Sequence, residues 1–331
     1  MKKLIYFLVG VFMVSLTSLS FAAQTYKPVK VMTFNIRNSN TDDGVNSWNA
    51  GRDQRAISLI NKYHPDIFGV QEATNGKYGQ EVSDLKKLPD YQWYGIGRDD
   101  GKTKGEYEGL LFLKSRFDLV KSGQFWISPK PNKPGTTFAT KTMEPTWDYL
   151  NPRMATWIIL YDKINKKKYF VLNQHWAVAP AAQPLSSELI RKEVSKLNEG
   201  LPTIIMGDLN MTDQSPKAKY SLNAYNGYNI LLHGKEGKGL QLIDAYRTVH
   251  PEHITNPPHS EMTYHDFHGG KKFFDVNEHP EDSQYNYRID YILTTDAFVA
   301  KKAKIIRESF AKKPGLWPSD HYPVIVELQL K

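Results

Sequence analysis

Residues 202–210 read PTIIMGDLN, a β-branched, apolar run that stops abruptly at Gly207, a carboxylate at Asp208 and an amide at Asn210. The run has the length and composition of a buried strand. In an extended segment Asp208 and Asn210 point to the same side. The same ending recurs along the chain. VKVMTFNI (29–36) carries Asn35 near its end, and DIFGVQE (66–72) ends on Glu72. KYFVLNQHW (168–176) delivers Asn173 and His175, Asp290 sits inside RIDYILTT (288–295), and Asp320 and His321 immediately precede PVIVELQL (323–330). Each of these alone reads as a turn, a cap or a satisfied core residue. Together they predict strands whose polar ends converge.

Between the strands lie two helical stripes. Ala56, Ile57, Ile60 and Tyr63 form the first, stopped by Pro65; Leu189, Ile190, Val194 and Leu197 form the second. LLFL (110–113) and FDLVKSGQFW (117–126) read as neighbouring antiparallel strands. MATWIILYD (154–162) and KYFVLNQHW form a hairpin around the lysine-rich turn of KINKKKYF (163–170). Segments 127–152 and 211–239 read as Pro- and Gly-rich loops, and 248–287 as a His-rich one. The pattern is that of an α/β chain with two packed, mostly antiparallel sheets and helices outside. No repeat or low-complexity linker divides it.

The N-terminus has the layout of a secretory signal. Lys2 and Lys3 precede the apolar stretch Leu4 to Val14, and Ser20-Phe21-Ala22 offers small residues at a cleavage site. Residues 1–22 are expected to be removed, leaving 23–331 as a single domain in a secreted or periplasmic bacterial protein. Ser15 to Ser20 is too polar to extend that stretch to a span of ~20 residues, and no second apolar segment of that length follows. No stable membrane insertion is expected after cleavage. The chain has no cysteine, which excludes lipidation at a lipobox, thiol catalysis and thiolate metal sites. The formal charge of +8 falls to +6 without Lys2 and Lys3. An excess of that size suits a polyanion or plain solubility equally. The absence of heptads predicts a monomer without an obligate protein partner.

Acids, amides and imidazoles without thiols suit a hard divalent cation such as Mg²⁺, with Mn²⁺ as the alternative. Imidazoles paired with carboxylates suit proton transfer. Charge neutralisation, an aligned water and a protonated leaving group are the requirements of phosphate ester hydrolysis.

FNIR, QEA, GDLN, RIDYIL and SDH, in this order, resemble the motifs of the endonuclease/exonuclease/phosphatase superfamily, over nearly the whole chain after the leader. YGIGRDDGKTKGEYEGLLF is similar to an exported bacterial subgroup. The resemblance implies a four-layer α/β sandwich with the site at one edge of two facing sheets. It also implies roles. Glu72, with Asn35 and Asp320, would bind the cation. Asp208 would orient or deprotonate the attacking water, and Asn210 would hold the phosphate. His321 would pair with Asp290. His175 would contact the phosphate or protonate the leaving oxygen, with Glu106 as its carboxylate and Glu108 as the alternative match. Arg153, Asn173 and His265 fall on the substrate side, Asn173 bracing the site by hydrogen bonding.

The subgroup's His-Leu-Asp-His reads here as His175-Trp176-Ala177-Val178, which removes two polar groups. Trp176 is then either a flat apolar surface for substrate or, in the better reading, a packing residue. Six of the ten histidines fall within 250–279. Without a helix-borne HExxH they do not make a zinc motif. GKEGKG (234–239) lacks P-loop spacing and reads as a surface turn. The leading expectation is a secreted Mg²⁺-dependent phosphodiesterase or nuclease acting by in-line attack of water, with nucleic acid among its candidate substrates. The alternatives are a phosphatase or phospholipase-like enzyme on an inositol, sugar or lipid phosphate, and a non-catalytic binding protein on the same fold.

Overall fold

A computed structural model describes residues 25–143, 148–213, 219–253, 261–269, 287–309 and 315–331. The expected signal peptide and its cleavage site lie outside the described residues. Among the described residues twelve strands form two six-stranded sheets. In the first, β11 (Phe298–Ile305), β12 (Val324–Leu330), β1 (Val29–Asn35), β2 (Ile67–Ala73), β4 (Tyr107–Leu113) and β3 (Tyr91–Tyr94) lie side by side in that order. In the second the order is β5 (Phe117–Trp126), β6 (Met154–Asp162), β7 (Lys167–His175), β8 (Thr203–Asp208), β10 (Asp290–Thr294) and β9 (Ile243–Asp244). Only β1–β2 and β7–β8 are parallel pairs; the other neighbours run antiparallel.

The sheets face each other across a core containing Val31, Ile67, Leu110, Ile158, Val171, Ile204, Met206 and Ile292. On the outer face of the first sheet, Met32, Phe34, Phe68 and Val70 pack with Ala56, Leu59 and Ile60 of α1 (Arg52–Tyr63) and Val82 and Leu85 of α2 (Glu81–Leu85). On the outer face of the second, Phe170, Leu172 and Ile205 pack with Ile190 and Val194 of α3 (Gln183–Leu197) and Leu231 of α4 (Lys219–His233). With both faces covered, the strands are apolar throughout rather than alternating. The result is the expected four layers.

Alternation explains why the polar strand ends converge. Thr33 and Asn35 continue the face of Val31, Asn173 and His175 that of Val171, and Asp208 that of Ile204 and Met206. All lie on inner faces, at one end of the sandwich. Gly207, at φ 146, lies against β7; a Cβ there would meet the Gln174 carbonyl oxygen at 2.0 Å.

Two expectations are corrected. LLFL and FDLVKSGQFW are not paired: β4 bonds to β2 and β3, and β5 to β6, in the opposite sheet. Arg116, 3% exposed, anchors this crossing through Asp66 (3.0 Å), Asp162 (2.9 Å) and the Pro28 carbonyl (2.8 Å). Segment 211–239 is not simply loop, because α4 occupies Lys219–His233, against α3. Arg191 of α3 donates to the Leu231 carbonyl at 2.9 Å near its C-terminal end.

Candidate active site

β1 ends in Asn35, whose Nδ2 donates to Glu72 Oε1 at 2.9 Å and to Asp208 Oδ2 at 3.0 Å. One amide thus joins carboxylates from the two sheets. Glu72 reaches this point by an irregularity. Strict alternation would turn it outward with Phe68 and Val70, but its φ is 63° and the β2–β4 register shifts between Val70 and Ala73. The left-handed conformation is costly for a residue with a Cβ. Here it is held by Asn35 and by Asn38, whose backbone N–H (3.2 Å) and Nδ2 (2.8 Å) both donate to Glu72 Oε2.

Ligand atoms of Glu72, His175 and Asp208 lie within 4.8 Å of one another, a group able to hold a metal ion. Burial raises the Glu72 carboxyl, but Arg37, the Asn35 hydrogen bond and His321 together hold it well below the usual carboxylate range. Asp208, 1% exposed, is pushed up to about 7, first by burial and then by Asp290. A carboxylate crowded by another acid in a closed site is a place where a divalent cation relieves uncompensated charge. The donor set therefore fits a hard cation. Asn35 can ligate only through Oδ1, which at present accepts the Arg37 backbone N–H at 3.0 Å. Asp320 does not join any of the groups close enough to share an ion. Its carboxylate accepts from Ser319 Oγ (3.1 Å) and lies 3.8 Å from Arg37 Nε.

Two imidazoles flank Asp208 Oδ2, His175 Nε2 and His321 Nε2 each at 3.7 Å. His321 Nδ1 bonds to Asp290 Oδ2 at 2.9 Å, as expected for the pair. Burial opposes its charge, yet Asp290, Asp208 and Asp320 lift its pKa to about 10, so it is an imidazolium at neutral pH. His175 is the opposite case, its pKa driven well down by burial and then by Arg153. Asn210, at φ 48, donates Nδ2 to the Trp176 carbonyl at 3.0 Å and lies 3.2 Å from His175 Nε2. An amide donor there makes Nε2 the acceptor of a neutral imidazole and leaves the proton on Nδ1, which faces Glu106 Oε2 at 3.8 Å.

Glu106 and Glu108 both reach this side, within 4.8 Å of His175 and of each other. Arg98 Nη1 sits between them, 2.7 Å from Glu106 and 3.6 Å from Glu108. Burial pushes Glu108 up to about 8. Glu106 is thus the carboxylate nearer His175 Nδ1, and Glu108 lies behind it. Arg153 is buried and acts electrostatically on both acids and on His175.

Two residues expected on the substrate side are buried. Asn173 is wholly buried between the sheets, donating to the Val70 carbonyl (2.8 Å) and the Gly109 carbonyl (2.9 Å) and accepting from Gln71 Nε2 (2.6 Å). Every polar atom of it is used in joining sheet to sheet. His265 stacks on Tyr322 at 4.0 Å and against Trp317 at 5.1 Å, and burial lowers its pKa to about 2. It is a packed neutral ring beside the site. Trp176 is also fully buried, its Nε1 on Gln174 Oε1 at 2.8 Å, which settles it as a packing residue. Among the described residues no metal-competent group includes a histidine of 250–279; the His253 side chain, His259 and His279 lie outside them.

Sequence reasoning missed Asn38, Arg37 and Arg98. The first two lie on the turn after β1, where no periodicity marks a functional face. It also missed the buried network in which Arg288 bonds to Asp213 (2.9 Å) and to Asp244, leaving Asp290 free for His321.

The sequence matches the model of the endonuclease/exonuclease/phosphatase family over residues 32–321. Among solved structures it is similar to an endonuclease/exonuclease/phosphatase from Bacteroides vulgatus at 28% identity and TM-score 0.69, covering 92% of this chain and 100% of that one. A mannosyl-6-phosphatase from Bacteroides thetaiotaomicron is similar at 26% identity and TM-score 0.66, covering 91% and 99%. The human nocturnin catalytic domain shares the fold at 17% identity and TM-score 0.62, covering 92% and 95%. No curated protein matches the sequence.

Proposed function

The chain belongs to the endonuclease/exonuclease/phosphatase family, and from that premise we propose that it is a divalent-cation-dependent phosphoester hydrolase, exported after loss of residues 1–22 and working with Mg²⁺ or Mn²⁺. The observation that carries the reading is the meeting of Glu72, His175 and Asp208 within 4.8 Å, beside an imidazolium locked onto Asp290. Bound there, the cation supplies Lewis-acid polarisation of the phosphoryl group and neutralises developing charge.

The chain's own residues would do the rest. Asp208, with its pKa lifted to about 7, is suited to orient a water and accept its proton. His321, charged and fixed by Asp290, faces the same space through Nε2 and stabilises negative charge on the phosphoryl oxygens. Asn210 and the neutral His175 stand side by side at 3.2 Å and would orient the phosphate from the other flank. Glu106 Oε2 faces the Nδ1 side of the His175 ring at 3.8 Å. Asn35 and Asp320 support the cation site from its edges, Asn35 by fixing both carboxylates and Asp320 by holding Arg37.

Two substrate classes follow. The basic charge is compatible with a phosphodiester of nucleic acid. The similarity to a mannosyl-6-phosphatase favours a sugar phosphomonoester. The deciding assay compares plasmid DNA, bis-p-nitrophenyl phosphate and mannose 6-phosphate after treatment with EDTA and after return of Mg²⁺. Activity on one class, lost with EDTA and restored by Mg²⁺, is expected. Undiminished hydrolysis by the metal-stripped protein overturns the proposal.

A further inference from the structure

Glu81, in the first turn of α2, is a carboxylate with no exposed surface that the chemistry above does not use. It accepts hydrogen bonds from Ser39 Oγ and Thr74 Oγ1 (3.1 Å), and Arg52 Nη2 faces it at 3.5 Å, also fully buried. A buried ion pair is weak evidence of stability, since its desolvation opposes its attraction. An apolar residue would pack α2 as well. The partners explain why a carboxylate is there instead.

Ser39 directly follows Asn38, whose two N–H donors grip Glu72 Oε2. Thr74 lies two residues past Glu72, on the segment leaving the left-handed position. The two are also joined directly, Ser39 N–H to Thr74 Oγ1 at 3.2 Å. Arg52 closes the other side, donating from Nη1 to the Ile36 carbonyl and to the Arg37 carbonyl (2.8 Å), and from Nε to the Asn46 carbonyl (2.6 Å). Glu81 and Arg52 thus tie the turn after β1 to the turn after β2, and Glu72 is held between these turns in a conformation its own side chain disfavours.

We propose that Glu81 is a positioning residue: acting with Arg52 through Ser39 and Thr74, it clamps the two strand-exit turns so that Glu72 and Asn38 are set for a divalent cation. The inference rests on the cation-binding reading of Glu72. Partners one step removed from metal ligands fix ligand orientation, and their loss commonly weakens affinity by about 10–100-fold.

Mn²⁺ affinity, measured without substrate by electron paramagnetic resonance on metal-stripped protein, tests it. Ser39→Ala removes the hydroxyl that bonds Glu81 and also meets Thr74 Oγ1 (2.9 Å), the Gly79 carbonyl (3.1 Å) and the Gly76 N–H (3.1 Å), with little change in volume, and Glu81→Gln keeps an acceptor while replacing the carboxyl that faces Arg52. Both are expected to unfold cooperatively and to bind Mn²⁺ about tenfold or more weakly, with Glu81→Gln less affected than Glu81→Ala. Asp84→Asn is the control for a merely structural role. Asp84 belongs to the same helix and bonds to Trp48 Nε1 at 3.0 Å, outside the hydrogen bonds that join Glu81, Ser39 and Thr74, and its variant should bind Mn²⁺ as the native protein does. Folded Ser39→Ala and Glu81→Gln variants with native Mn²⁺ affinity overturn the clamp alone. A native protein that binds no Mn²⁺ overturns the clamp together with the cation reading beneath it.

Discussion

Asp208 is the residue on which most of the site's charges act. It lies opposite Asp290 in the β8–β10 register and midway between two imidazole Nε2 atoms. Burial and Asp290 together disfavour its ionised form. Asp208→Asn keeps the shape and the hydrogen bond from Asn35 Nδ2 only if the amide oxygen turns toward it, and it removes the proton acceptor. The expected loss is about 10³-fold in kcat, with the urea midpoint at pH 8 unchanged or raised, because a carboxylate penalised by burial is gone. Kinetics and denaturation on the same preparation check both halves. Asp290→Asn acts differently. It deprives His321 of the carboxylate that lifts its pKa to about 10. The imidazolium is then lost at lower pH, so the alkaline limb of the pH–rate profile should move down while the acid limb stays. An unmoved alkaline limb would separate His321 from the reaction.

Whole elements were legible where composition alone decides. β1, β2, β7, β8 and β10 are apolar runs covered on both faces, and each polar terminal residue that follows inner-face parity was found: Asn35, His175, Asp208 and Asp290. Glu72 was found by its place at a strand end, but parity would have turned it outward; its left-handed φ is not written in local sequence. The split of β4 from β5 was illegible because a short turn suits a hairpin as well as a crossing, and only Arg116 with its distant acids chooses between them. α4 was hidden by Gly227 and by Asn223, Asn226 and Asn229, which weaken helix propensity that tertiary packing then overrides. Asn173 looked like a site residue because it shares His175's face, yet it ends two residues short of the edge. There it acts as a pin between sheets, and Gly69 makes room for it, since a Cβ at that position would lie 2.6 Å from Asn173 Cγ. Asn173→Ala removes the amide that bonds the Val70 and Gly109 carbonyls and leaves the Gln71 amide with Thr33 Oγ1 (3.0 Å), at a cost of about 2–4 kcal/mol. Urea unfolding should report that loss, while kcat of the protein that remains folded should stay near native. A large fall in kcat at native stability would return Asn173 to the substrate.

The molecule as a whole carries an unusual set of buried ionisable groups, and their displaced pKa values fix how stability depends on pH. Glu81 and Asp208 are raised to about 7 and Glu108 to about 8, chiefly by burial. Each therefore holds a proton in the native state that the unfolded chain has released above the ordinary carboxylate range. His321, raised to about 10 by its acidic neighbours, does the same above its ordinary value of 6.5. Native excess protonation makes stability fall as pH rises. The opposite slope comes from His265, lowered to about 2, and His175, lowered by burial, which make the unfolded chain the greater proton binder only up to about pH 6.5. Glu72, held low, adds stability that is complete above the ordinary carboxylate range. Between about pH 6.5 and 10, then, the losses stand unopposed among these groups. Between the ordinary carboxylate range and about pH 6.5 the three raised carboxyls outweigh the two lowered imidazoles, so the metal-stripped protein should show its highest urea midpoint at about pH 4–5 and a decline that continues to about pH 10. A cation at Glu72 and Asp208 changes the slope, because it binds the ionised carboxylate and must displace a proton from Asp208 below about pH 7. Saturating Mg²⁺ should accordingly raise the midpoint more at pH 8.5 than at pH 6. Asp208→Asn should flatten part of the decline below about pH 7 and abolish most of the Mg²⁺ gain in the same titration. A midpoint that rises toward alkaline pH, or an Mg²⁺ gain equal at both pH values, would mean that the acids between the two sheets are already ionised without the ion.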